Sequence, residues 1–192
     1  IQHTTGSGKS YEIGWLTHTL SSFYKDKDDT KKLFDTVIVV TDRNVLDEQL
    51  RNVIENLQDV RGVVNPVVED SIQLKKFLEE GKSIIITTIQ KFPVISKSLK
   101  INYSRNYAVI FDEVHSSQGG KATQELKRSI SNKDNEISND YDELILNEIK
   151  IKGKKNNVSF FGFTGTPKKE TLEIFGRSKK GDKNKKAFHS YT

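Results

Sequence analysis

Three runs in this chain, Val37-Ile38-Val39-Val40, Ile84-Ile85-Ile86 and Tyr107-Ala108-Val109-Ile110-Phe111, are apolar at every position rather than at every second one. A strand with one face in water alternates, so a continuous run must be covered on both faces. The runs are rich in β-branched residues and too short for helices, which makes them strands of a buried sheet. Between them lie amphipathic stretches. Residues 9–23 carry Ile13, Leu16, Leu20 and Phe23 at helical spacing, and Leu46, Leu50, Val53, Ile54 and Leu57 make one stripe that Asp42 or Asn44 can cap. Ser71 opens a shorter segment bearing Leu74, Phe77 and Leu78, and Gly81 stops it. A helical turn runs from Thr88 to Pro93, and Val158 to Phe163 is the last clear strand. Buried strands joined by helices define an α/β fold, a three-layer α/β/α sandwich with a mostly parallel central sheet.

With 192 residues, 34% of them apolar, the chain can bury one such core. We expect a single domain over 1–192. Ile1 already sits in the strand before the first helix, an abrupt start that reads as a piece of a longer chain. The stretch 129–157 turns polar and charged, as in an insertion. Because nothing resembles a leader or a run of about twenty apolar residues, a soluble, cytoplasmic protein without a membrane is expected. The absence of cysteine excludes disulfides, thiolate zinc sites and a cysteine nucleophile. His3, His18, His115 and His189 lack zinc-ligand spacing, and Ser7 has no evident His/Asp partners. Trp15 reads as core or helix packing. The net charge of +5 favours polyanionic partners, although the lysines at 150–155 and 179–186 also read as solvated loops.

Two short motifs carry chemistry. Thr5-Gly6-Ser7-Gly8-Lys9-Ser10 stands between a strand and a helix. Backbone N–H groups can approach a phosphate where Gly6 and Gly8 present no side chain, with the positive end of the helix behind them. Lys9 then reaches the β- and γ-phosphates, and the Ser10 hydroxyl can hold Mg²⁺. His3 stands where such loops usually place their first glycine. Asp112-Glu113 ends a buried strand, so its carboxylates project from the carboxyl edge of the sheet, the same edge as the loop. There Asp112 can meet Mg²⁺ and Glu113 can orient or deprotonate an attacking water. Taken singly, the loop is also a turn before a helix and the acids also a helix cap. Together they describe binding and hydrolysis of a nucleoside triphosphate.

The set of residues 5–10, Asp112-Glu113-Val114-His115 and Phe163-Thr164-Gly165-Thr166-Pro167 resembles motifs I, II and III of superfamily 2 helicases and translocases. Ile1-Gln2-His3-Thr4, Val40-Thr41-Asp42-Arg43-Asn44-Val45-Leu46-Asp47-Glu48-Gln49-Leu50, Thr87-Thr88-Ile89-Gln90-Lys91-Phe92 and Phe188-His189-Ser190-Tyr191 are similar, more closely, to the motor (R) subunit of type I restriction endonucleases. That resemblance implies the first RecA-like P-loop domain of a DNA translocase that uses ATP and Mg²⁺. Implied partners are double-stranded DNA, a second RecA-like domain and a nuclease domain of the same chain, and methyltransferase and specificity subunits. It implies DNA contacts at Thr41, Arg43, Thr88, Gln90 and Lys91, although Thr88 also serves as a helix cap and Arg43 as an ion-pair partner for neighbouring acids. It implies coupling through His115, which bridges to the later motif or merely packs, and through Thr164, Gly165 and Thr166, which end a strand lying between the loop strand and the Asp112 strand and also read as an ordinary turn. Another superfamily 2 DNA or RNA helicase would use the same motifs. An ATP switch without turnover would have no need of Glu113.

Overall fold

The computed structural model describes residues 1–4, 6–24, 31–41, 44–57, 63–92, 94–95, 104–113, 157–178 and 185–191. Thr5, Asp42, Arg43, Pro93, Val114, His115, the stretch 129–156, the lysines at 150–155 and those at 179, 180 and 183 lie outside them, as do the side chains of Asn44 and Leu46.

The three continuous runs form the middle of a five-stranded sheet. They are β2 (Thr36–Thr41), β4 (Ile84–Thr88) and β5 (Tyr107–Asp112), joined by β3 (Val64–Pro66) and β6 (Val158–Phe163) in the order β3-β4-β2-β5-β6. Every pairing is parallel, with Val39 opposite both Ile86 and Ile110, and Asp112 opposite Phe163. All six residues of β2 and all five of β4 are buried, as unbroken apolar sequence requires of strands covered on both sides.

Alternate residues divide the core. Ile38, Val40, Ile85, Val109 and Phe111 pack on one face with Leu74 and Leu78 of α3 (Ser71–Glu80) and with Phe92. Val37, Val39, Ile84, Ile86 and Ile110 pack on the other with Ile13 of α1 (Lys9–Ser21) and with Leu50 and Ile54 of α2 (Asn44–Asn56). The result is the expected α/β/α sandwich. The Asp70 carboxylate caps α3 by accepting from the N–H groups of Ile72 and Gln73, and Gly81 ends the helix in the left-handed conformation at φ 71.

β1 (Gln2–His3) lies beside β6. Gln2 bridges Thr164, the His3 N–H donates to the Thr164 carbonyl at 3.0 Å, and the Thr164 N–H donates to that of Ile1 at 3.1 Å. The strand ending at Thr164 therefore separates the loop strand from the Asp112 strand, as the resemblance implied. On its far side β1 pairs in parallel with β7 (Ser190–Tyr191). After β6 the chain forms α4 (Lys169–Phe175).

Two readings change. α1 stops at Ser21 rather than Phe23, because the Ser21 and Ser22 hydroxyls bond the His18 carbonyl and compete with a further helical turn. Trp15 is not in the core: it is 60% exposed, its ring 6.4 Å from that of the equally exposed Tyr11. Among the described residues no helix is long and apolar enough to cross a membrane.

Ile38, fully buried in the central strand, is a sensitive probe of this core. Ile38→Ala is expected to cost about 2–5 kcal/mol in equilibrium denaturation. A cost below about 1 kcal/mol would contradict a β2 packed on both faces.

Candidate functional site

Because the strands are parallel, their carboxyl ends meet at one edge, and it is there that the chemistry-bearing residues gather. The loop leaves β1 through Thr4, whose carbonyl accepts from the Ser7 N–H at 3.2 Å and the Ser7 hydroxyl at 2.6 Å. Gly6 and Gly8 take positive φ values of 83 and 86, the left-handed region that glycine enters without penalty. Gly8 is the N-cap of α1, and it brings no side chain to the helix end. The N–H groups of a first helical turn have no partner within the helix, so this end faces outward as a set of donors.

Lys9, in the first turn, crosses to the end of β5. Its Nζ lies 3.4 Å from Asp112 Oδ1 and makes a closer ion pair with Glu113 Oε1. The three side chains are only 10–21% exposed, so the pairing is sheltered from solvent screening. Two carboxylates against one ammonium leave a net negative charge. Glu113 also holds a left-handed backbone at φ 58, a conformation that costs a non-glycine residue about 1–3 kcal/mol and persists only where its surroundings impose it. Here the strand end and the ion pair hold it.

Ser10 is half-buried in the same first turn. Its hydroxyl and the Asp112 carboxylate are hard oxygen donors of the kind Mg²⁺ prefers. Among the described residues no three acidic or imidazole groups converge to hold a metal by themselves. That fits an ion held by one or two side chains together with phosphate oxygens, the usual arrangement for Mg²⁺.

The remaining motif residues sit along the same edge. Thr164 is buried and bonded to β1, Gly165 passes close to the His3 carbonyl, and Thr166 is exposed. Thr41 and Thr88 stand opposite one another in register but are 1% and 5% exposed, so in this conformation their hydroxyls face protein rather than solvent. Thr88 is the N-cap of a 3₁₀ turn (Ile89–Lys91) without a side-chain capping bond. Gln90 is exposed, and the Lys91 ammonium donates to the Val67 carbonyl at 3.4 Å. His3, noted in sequence only for standing in a glycine's place, is buried, with Nε2 3.0 Å from His189 Nδ1 and Nδ1 3.0 Å from Glu12 Oε2. Nothing short of the fold brings its partners near.

This fold is shared with solved helicase domains. The Hef helicase domain of Pyrococcus furiosus superposes at a TM-score of 0.56 with 14% identity, over 91% of this chain and 31% of that one. A nuclease-deletion mutant of the Type ISP restriction-modification enzyme LlaGI, solved with a DNA substrate mimic, gives 0.52 with 17% identity over 86% of this chain and 13% of that one. The architecture is that of a RecA-like helicase domain. The SWI2/SNF2 ATPase model matches residues 1–192, and the chain belongs to that family.

Among curated proteins, the type I restriction enzyme HindI endonuclease subunit of Haemophilus influenzae is 33% identical over 184 residues, 91% of this chain and 16% of that protein. The SsaAORF53P endonuclease subunit of Staphylococcus saprophyticus is 30% identical over 193 residues, 92% of this chain and 17% of that protein. The chain thus spans about a sixth of the length of these relatives.

Gly8 offers a direct check on the loop. No atom lies within 4 Å of where a Cβ would stand, so Gly8→Ala meets backbone strain alone. A loss of about 1–2 kcal/mol in thermal or urea unfolding is expected, and an unchanged stability would mean that the left-handed turn is not adopted.

Proposed function

We propose that this chain is the ATP-binding half of a DNA translocase motor, coupling hydrolysis of Mg-ATP to movement on double-stranded DNA within a type I restriction enzyme. The observation that carries the reading is the meeting of Lys9 with Asp112 and Glu113 beside a glycine loop. The endonuclease-subunit relatives support the restriction context, and the ATPase family supports turnover.

In this reading the amides of residues 6–10 receive the β-phosphate, and Lys9 leaves the two acids to neutralise the β- and γ-phosphates. Ser10 and Asp112 would hold Mg²⁺, which supplies charge neutralisation on the phosphate oxygens. Released from Lys9, Glu113 accepts a proton from, or orients, the attacking water. Thr164, Gly165 and Thr166 follow β6, which lies between β1 and β5, and together with His115 they would report the state of the nucleotide. Thr88, Gln90, Lys91 and, after rearrangement, Thr41 and Arg43 supply donors for a nucleic-acid backbone, contacts that carry no sequence information and suit a motor on arbitrary DNA. The second RecA-like domain, the nuclease domain and the methyltransferase and specificity subunits complete the cytoplasmic machine. Residues 1–192 taken without such a second domain would hydrolyse ATP weakly.

Changing Lys9 to Ala in the full-length chain is expected to abolish tight ATP binding and translocation while the melting temperature stays close to wild type. ATP-driven movement by that variant would dismiss the loop assignment. Glu113→Gln should keep ATP bound and slow phosphate release by about a hundredfold or more. Retained turnover would remove Glu113 from its role, and stimulation by RNA rather than duplex DNA would favour a different superfamily 2 helicase.

A further inference from the structure

His3 is 1% exposed, and its two ring nitrogens face different elements. Nδ1 lies 3.0 Å from Glu12 Oε2 on α1, a close polar contact though not a well-aligned hydrogen bond, and Nε2 lies 3.0 Å from His189 Nδ1, just before β7. A carboxylate only accepts, so the neutral His3 ring carries its proton on Nδ1 and its Nε2 accepts from His189 Nδ1–H. One tautomer is compatible with both contacts. The ring also packs on His189 and Tyr191, at centroid distances of 5.2 and 5.8 Å.

We propose that Glu12, His3 and His189 form a clamp that positions the phosphate loop and couples its geometry to the docking of β7. The proposal rests on the reading of residues 6–10 as a triphosphate loop. His3 is the last residue of β1, and the loop is hung from the next carbonyl, that of Thr4, through both Ser7 bonds. A rotation at His3 therefore passes directly to Ser7 and Gly8. On the other side, the Gln2 N–H donates to the His189 carbonyl at 2.8 Å, so the backbone of β7 is gripped where its side chain is.

β7 has little else to hold it. It is two residues long, exposed, and among the described residues pairs with β1 alone. The segment before it is tied to the stretch after α4: the Arg177 and Lys186 backbones exchange hydrogen bonds of 2.8 and 2.9 Å, Lys185 donates to the Glu173 carbonyl, and the Arg177 guanidinium lies 4.4 Å from the centre of the Phe188 ring. A short, exposed strand joined to a loop through a buried imidazole has a reciprocal consequence: whatever seats β7 improves the loop for nucleotide, and nucleotide seats β7 by the same free energy. His3 is thus a positioning residue, acting through Thr4 and Ser7 rather than on phosphate.

The test is DNA-stimulated ATP hydrolysis by the full-length chain. His189→Ala removes an exposed ring and spares the fold, and His3→Asn keeps an N–H toward Glu12 while losing the group that meets His189. Each is expected to raise the KM for ATP about tenfold with kcat within about twofold, the mark of lost ground-state positioning. The double variant should be no worse than either single one. His189→Asn, whose amide N–H stands near the position of the lost Nδ1–H, should return KM to within about twofold of wild type. An unchanged KM in His189→Ala, summed effects in the double variant, or failure of His189→Asn to rescue would each overturn the clamp. Lys9→Ala run alongside separates the two claims. If it loses ATP turnover while His189→Ala behaves as wild type, the clamp alone falls; if it turns over normally, the loop reading falls with it.

Discussion

Burial of the central strands on both faces is the constraint from which the rest follows. β2 exposes no residue to water, and its apolar Val37 to Val40 need a strand on each side and a helical layer above and below. Parallel neighbours need connections that cross a face of the sheet, and these connections are what α1, α2 and α3 provide. Once all strands run one way, their carboxyl ends share an edge. Lys9, after β1, and Asp112, at the end of β5, are far apart in the chain and meet for that reason alone.

Departures from local preference collect at this edge. Gly6 and Gly8 sit in left-handed turns, and Glu113 holds φ 58 without a glycine's freedom. Elsewhere the chain obeys the simple rules: alternate residues divide cleanly between two apolar faces, and helix α3 has both its caps. Strain tolerated in one place by a well-packed remainder is the pattern expected of a working site.

The same contrast explains what could be read in advance. Continuous apolar runs announced β2, β4 and β5 to within a residue or so, since burial on both faces demands such sequence, and the aromatic-rich Val158 to Phe163 announced β6. Lys9, Asp112 and Glu113 were legible because phosphate chemistry needs those types after strands. β3 was not: it is three half-buried residues ending in Pro66, which suits only an edge. β7 was not, because two exposed residues owe their strand character to β1 at the opposite end of the chain. Trp15 misled because α1 turns its apolar Ile13 inward and leaves Tyr11 and Trp15 outside, an orientation set by α2 rather than by residue type. The partners of His3 were hidden by the 186 positions separating it from His189.

The charge balance at Lys9 bears on how such a site would operate. With its ammonium shared between Asp112 and Glu113, the group is satisfied and the cluster carries one net negative charge. A triphosphate brought to it would meet two acids and one base, and repulsion at low local dielectric would offset much of what the loop amides offer. Lys9 can leave the acids only if another positive charge replaces it there. In the proposed reading Asp112 would hold a divalent ion whose charge stands in for the ammonium, and Lys9 would turn to the phosphates and leave Glu113. Binding is then an exchange of ion pairs rather than the filling of an open site, and the residue meant to handle water stays occupied until the substrate is in place. The left-handed backbone of Glu113, at φ 58, marks the residue that would change partners in that sequence.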